Sequence, residues 1–171
     1  MSFTATRYDF TDKAGGYRRL AQELQGLLEG EADLVANAAN TAALLFAALP
    51  QVNWAGFYFL KDGGLVVGPF QGKPACVRIA LGQGVCGTAA AARRTLVVPD
   101  VHEFPGHIAC DAASRSEIVV PLIAGDALLG VLDIDSPQPG RFDALDAAGI
   151  ERLAALFVAG TAAGARAPSR G

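Results

Sequence analysis

The feature that most constrains this chain is a change of hydrophobic period at Pro50. Before it, Tyr17, Leu20, Leu24, Leu27 and Leu28 recur at helical spacing, and a second helical run from about Ala32 to Leu49 stops at Pro50. Beyond it, residues 52–60 are rich in aromatic and branched side chains. Asp62-Gly63-Gly64 then signals a turn before an apolar run over 65–70, the pattern of a β-hairpin. Residues 77–81 read as a third strand, 84–94 as a short helix, and 96–98 as a strand. A long loop containing Pro105, Gly106 and two histidines follows. Residues 117–123 and 128–135 form a second predicted hairpin around Gly125-Asp126, and Asp143 caps a last helix with Ile150, Leu153 and Phe157 on one face. This order of elements predicts an α+β fold: a central antiparallel sheet, helices packed on one face, and loops covering the other face, where a pocket would lie.

Length and composition narrow the class further. A chain of 171 residues is long enough to bury a core without disulfides or metals. The longest unbroken apolar stretch, residues 42–49, is too short to span a bilayer, and residues 1–10 lack the basic start and apolar centre of a secretory signal. The expected setting is cytoplasmic. There, three cysteines point to transient redox or metal chemistry rather than a permanent crosslink. With 17 acidic against 14 basic residues, and with Arg18-Arg19 and Arg93-Arg94 read as solvated helix positions, nucleic acid is not an expected partner. Residues 163–171 are small and polar and are expected to form a disordered tail beyond a domain covering 1–162.

Cys110 is the first candidate nucleophile, because it lies in the Pro- and Gly-interrupted loop from His102 to Asp111. Its alternative role is that of a small buried apolar residue. Cys86 falls in the first turn of the short helix, where the helix dipole can favour thiolate, and Cys76 lies in a loop beside Gly72 and Pro74. Their spacing does not make a CxxC motif. Strand alternation places Trp54, Gly56 and Tyr58 on one face, with a notch at the glycine. It also places Val131, Asp133 and Asp135 together, opposite Leu132 and Ile134. Glu117 begins the partner strand and brings a third acid to the same end of the sheet. Such acids repel, which raises the pKa of at least one and suits a proton donor or a site for a cationic ligand. His102, His107 and Cys110 have loop spacing compatible with zinc but lack a convincing fourth ligand unless Asp100, Asp111 or a distant cysteine joins, and no metal is expected.

These residues, in their contexts, resemble the free methionine-(R)-sulfoxide reductases, a family of small GAF-domain enzymes. The resemblance rests on Asn53-Trp54-Ala55-Gly56-Phe57-Tyr58, Gly68-Pro69-Phe70-Gln71-Gly72-Lys73-Pro74-Ala75-Cys76, Gly84-Val85-Cys86-Gly87, the loop from Phe104 to Asp111, Ser116-Glu117-Ile118-Val119-Val120-Pro121 and Leu132-Asp133-Ile134-Asp135-Ser136. It implies that Cys110 is the catalytic cysteine, Cys76 the principal resolving cysteine and Cys86 an additional participant in the disulfide chemistry. Trp54 and Tyr58 would wall the substrate methyl group, and Glu117, Asp133 and Asp135 would bind the amino group and polarise the sulfoxide. The implied reductant is an external, thioredoxin-like dithiol, with no bound cofactor, and the implied assembly is a homodimer. The alternative function is a GAF module that binds a small molecule or senses redox state without turnover.

Overall fold

The computed structural model describes residues 8–107 and 111–164, and Cys110 therefore lies outside the described residues. Helices α1 (Lys13–Leu28) and α2 (Leu34–Ala48) open the chain. Strands β1 (Trp54–Lys61), β2 (Gly64–Gly72) and β3 (Arg78–Ala80) precede α3 (Gly84–Ala92), β4 (Leu96–Val98) and a 3-10 turn (Val101–Glu103). Strands β5 (Ser116–Ala124) and β6 (Ala127–Ser136) and helix α4 (Ala144–Gly164) complete the domain. No helix among the described residues is long and apolar enough to cross a membrane.

Short polar side chains set the helix starts. Asp12 accepts from the Gly15 N–H, Asp33 from the Ala36 N–H, and Asp143 from the N–H groups of Leu145 and Asp146. Each cap satisfies a donor that the first helical turn leaves free and contributes about 1 kcal/mol. The expected Arg93-Arg94 end of α3 falls just outside it. Arg93 takes a left-handed conformation (φ 54°) at the C-cap, and its guanidinium donates to the Asp126 carbonyl at 2.6 Å.

The six strands form one sheet in the order β3-β2-β1-β6-β5-β4, with every neighbouring pair antiparallel. Alternation divides its residues between two apolar clusters. Ala55, Phe57 and Phe59 of β1, Ile118, Val120 and Leu122 of β5, and Leu132 and Ile134 of β6 pack under α1, α2 and α4. Phe57 meets Phe157 of α4 with ring centroids 4.6 Å apart. Complete burial of such an aromatic contributes about 2–3 kcal/mol. Trp54, Tyr58, Val119 and Val131 face the other way, against Val85, Cys86, Ala89 and Ala90 of α3 and the surrounding loops. Gly87 makes this close seating of α3 possible, since a Cβ there would stand 2.3 Å from the Ala80 carbonyl oxygen. The site described below lies on this second face.

On the helix side, Asp146 is fully buried, and its carboxylate accepts from the Asp143 N–H at 2.9 Å and from three side chains. Tyr17 Oη donates at 2.8 Å, Arg141 Nη1 at 3.0 Å and Lys13 Nζ at 2.6 Å. This network ties α1 to α4 and to the segment before α4, away from the pocket.

Candidate active site

Strand β1 supplies the aromatic wall. The Trp54 and Tyr58 rings lie near parallel, 26° between planes and 5.9 Å between centroids, and Trp54 also stacks on Phe70 at 5.1 Å. The Trp54 indole N–H donates to the Lys73 carbonyl at 3.1 Å, which fixes the ring. Gly56 is required between these rings, because a Cβ there would lie 2.3 Å from Phe70 Cβ and 2.8 Å from the Trp54 ring.

Strand register brings the acids to this wall. On β6, Asp133 sits opposite Gly56 and Asp135 opposite Trp54, while on β5 Glu117 sits opposite Asp135 and Val119 opposite Asp133. Glu117, Asp133 and Asp135 therefore share one cavity with Trp54, Tyr58, Cys86 and His107. Cys86 Sγ, in the first turn of α3, lies 3.8 Å from Glu117 Oε1, and His107 Nε2 lies 4.0 Å from Glu117 Oε2. Asp133 Oδ1 is buried and has no hydrogen-bond partner among the described residues.

Burial sets the electrostatics. Desolvation, followed by the charges of Asp133 and Asp135, pushes the Glu117 carboxyl well above its usual range. Asp135 is raised by desolvation and then by Asp133 and Asp111, and desolvation brings Asp133 to about 7. The surroundings of Cys86 work against thiolate: desolvation raises this thiol, and the nearby Asp133, Glu117 and Asp135 raise it further. A helix dipole contributes about 1 kcal/mol at its N-terminus, too little to offset complete burial among three acids. His107 is pushed down, first by burial and then by His102, which favours neutral imidazole.

A polar rim frames the opening. Asn53 Nδ2 donates to Asp111 Oδ2 at 3.3 Å and to Ser114 Oγ at 3.2 Å, and Lys73 Nζ stands 3.4 Å from Asp111 Oδ1. The Ala113 N–H, then Lys73 and Asn53, hold the Asp111 carboxyl below its ordinary value. The sequence assigns no individual role to Asn53, Lys73 and Ser114, and offers Asp111 only as a conditional fourth zinc ligand. Asn53, Lys73 and Asp111 sit inside the quoted motifs, but nothing in their spacing shows that three separate loops meet.

Among the cysteines, Cys86 forms the cavity floor, and Cys76 is half-buried in the loop whose Pro74 and Ala75 line the cavity. Cys110 is outside the described residues, although the adjoining Asp111 lines the cavity, as does His107. Of the loop residues with zinc-compatible spacing, His107 lines the cavity, His102 is exposed and does not, and Cys110 lies outside the described residues.

Residues 19–159 match the GAF domain family, and the curled six-stranded sheet with its helices and enclosed cavity defines a GAF domain. The free methionine-R-sulfoxide reductase of Escherichia coli is 53% identical over 144 residues, covering 84% of this chain and 87% of that protein. The Saccharomyces cerevisiae free methionine-R-sulfoxide reductase is 45% identical over 147 residues, covering 81% and 82%. The crystal structure of free methionine-R-sulfoxide reductase from Neisseria meningitidis in complex with its substrate superimposes with a TM-score of 0.89 at 42% identity, covering 96% of this chain and all of that one. The chain belongs to the free methionine-R-sulfoxide reductase family.

Proposed function

We propose that this protein reduces free L-methionine-(R)-sulfoxide to L-methionine with electrons from its own thiols. The observation that carries this reading is the convergence of Glu117, Asp133 and Asp135 with the Trp54–Tyr58 wall in a single cavity whose border includes Asp111, the covalent neighbour of Cys110. A free amino acid presents an ammonium group, which three acids and an unpartnered Asp133 Oδ1 can receive. A peptide-bound methionine sulfoxide lacks that charge. The aromatic rings offer a flat apolar surface to the methyl and thioether end.

The family resemblance and the cavity lining support the following chemistry. The Cys110 thiolate attacks the sulfoxide sulfur, and a carboxyl kept protonated by burial, Glu117 or Asp135, delivers a proton to the sulfoxide oxygen. The substrate S–O bond and the new bond from Cys110 Sγ to the substrate sulfur then break as the oxygen passes to Cys110, leaving a Cys110 sulfenic acid and methionine as the free thioether. A second thiol, Cys76 first and Cys86 as relay, condenses with the sulfenic acid to a disulfide and releases water. An external dithiol of the thioredoxin type then restores the thiols by exchange. The electrons come from thiols throughout, so the reaction uses no bound cofactor or metal, and reduced thiols fit a cytoplasmic setting. Homodimer formation is part of the same family-based reading.

The test is turnover of the free R epimer with dithiothreitol, run beside the free S epimer and a peptide-bound sulfoxide, with chiral analysis of the remainder. Selective loss of the free R epimer is expected. Equal loss of both epimers would refute the stereochemistry. No loss from fully reduced protein would leave a GAF module that binds or senses without turnover.

A further inference from the structure

The geometry points to a second occupant of the acidic cavity: one Zn2+ ion bound by Cys86, Glu117 and Asp133, with His107 as the fourth ligand, and mutually exclusive with an ammonium-bearing ligand. Cys86, Glu117 and Asp133 are each buried, and one ligand atom from each falls within 4.8 Å of the others. The Cys86 Sγ to Glu117 Oε1 distance is 3.8 Å, and His107 Nε2 to Glu117 Oε2 is 4.0 Å. Ligands about 2.3 Å (sulfur) and 2.0–2.2 Å (oxygen, nitrogen) from a tetrahedral zinc lie about 3.4–3.6 Å from one another, so small side-chain movements close the Cys86–Glu117–Asp133 set, and His107, outside that trio but 4.0 Å from Glu117 Oε2, must move further to complete it.

Two features separate this arrangement from an ordinary acidic cluster. Asp133 Oδ1 is buried without a partner among the described residues, which is costly unless a cation or donor occupies the cavity. The cluster also contains sulfur, and a thiolate with carboxylate and imidazole donors favours zinc over magnesium or calcium, which take oxygen ligands. The four ligands come from four places in the fold: α3, β5, β6 and the loop before Cys110. The same carboxylates would receive the substrate ammonium under the proposed function, so bound zinc would block substrate. The zinc site itself rests on geometry alone and stands or falls separately from turnover.

The experiment uses the full chain, freed of metal, with all thiols reduced. Zinc is titrated against a chromophoric chelator, and Co2+ is titrated as a spectroscopic substitute. The expected result is one equivalent of metal, a thiolate-to-cobalt charge-transfer band, and release of the metal by free methionine sulfoxide. Cys86→Ser should abolish the band, and Glu117→Gln should weaken zinc binding by roughly 100-fold, whereas Cys110→Ser and Cys76→Ser should keep both. If Cys86→Ser does not fold, the wild-type band and the Glu117→Gln and Cys110→Ser variants still decide the matter. The inference is overturned by no stoichiometric binding, by binding without the band, by a band lost in Cys110→Ser, or by metal binding indifferent to methionine sulfoxide in a protein that turns it over. Stoichiometric zinc in a protein without turnover would support the site while removing the reductase reading.

Discussion

Asp133→Asn should stabilise the fold at alkaline pH while impairing function. Asp133 is 6% exposed, and burial holds its carboxyl near pKa 7 against an ordinary value of 3.8. A carboxyl whose pKa is raised by folding favours the native state while it remains protonated. That contribution is complete below about pH 4 and is lost as pH rises through about 7. At about 1.4 kcal/mol per pH unit, the ionised carboxylate costs the native state up to about 4 kcal/mol above pH 7. Neighbouring Glu117 and Asp135 share this electrostatic cost, and relaxation lowers it, so about 2–3 kcal/mol is the expected gain on making residue 133 permanently neutral. For a chain of this size that is about 5–10 °C in Tm. Thermal and denaturant unfolding of both proteins at pH 4, 6 and 8, with chelator present, provides the assay. The gain should grow with pH and nearly vanish at pH 4. An Asn variant equally or less stable than wild type at pH 8, or stabilised by the same amount at every pH, would refute the reasoning. Loss of a charged partner for the ligand ammonium should also raise KM by about 10–100-fold.

Three further outcomes follow from other parts of the structure. Cys110→Ser should abolish turnover while leaving the circular dichroism spectrum and unfolding midpoint within error of wild type, and retained activity would remove the proposed nucleophile. Gly56→Ala places a Cβ 2.3 Å from Phe70 Cβ; the overpacking should cost about 1–3 kcal/mol and shift the emission of Trp54, the chain's single tryptophan. An unchanged spectrum would show that the wall can absorb the methyl group. Asp146→Ala strands the buried Arg141 guanidinium and should cost about 3–5 kcal/mol in denaturant unfolding, with kcat of the remaining folded protein unchanged because the network lies on the helix side of the sheet.

Much of this architecture is legible in the chain because alternation is a local property. Asp133 and Asp135 between Leu132 and Ile134 announce their opposite faces without knowledge of any partner, and so do Trp54, Gly56 and Tyr58. The hairpin around Gly125-Asp126 also makes the approach of Glu117 to Asp135 readable, since a tight turn fixes register. The state of Cys86 is different. Its place near a helix N-terminus is local, but its burial depends on Gly87 seating α3 against the Ala80 end of β3, a long-range contact without periodicity. The Asn53–Asp111–Ser114 rim has the same origin, in loops that meet only after the sheet has formed.

The unequal surroundings of the two described cysteines lead to a prediction about the order of disulfide formation. Thiolate is the attacking species in condensation with a sulfenic acid, so a resolving cysteine must be able to lose its proton and reach its partner. Cys86 is poorly suited to the first step. It is fully buried, and burial together with Asp133, Glu117 and Asp135 raises its pKa. Cys76 is half-buried, next to Pro74 and Ala75 at the cavity border. The first disulfide should therefore join Cys110 to Cys76, with Cys86 entering by exchange. A single turnover quenched with an alkylating agent and mapped by mass spectrometry should show the 76–110 peptide pair before any pair containing residue 86. Cys76→Ala should accumulate sulfenic acid and slow regeneration more than Cys86→Ala does. A 86–110 pair appearing first would mean that the acid cluster gives up its charge on substrate binding, with the ammonium group of the ligand offsetting the carboxylates and lowering the barrier to Cys86 ionisation.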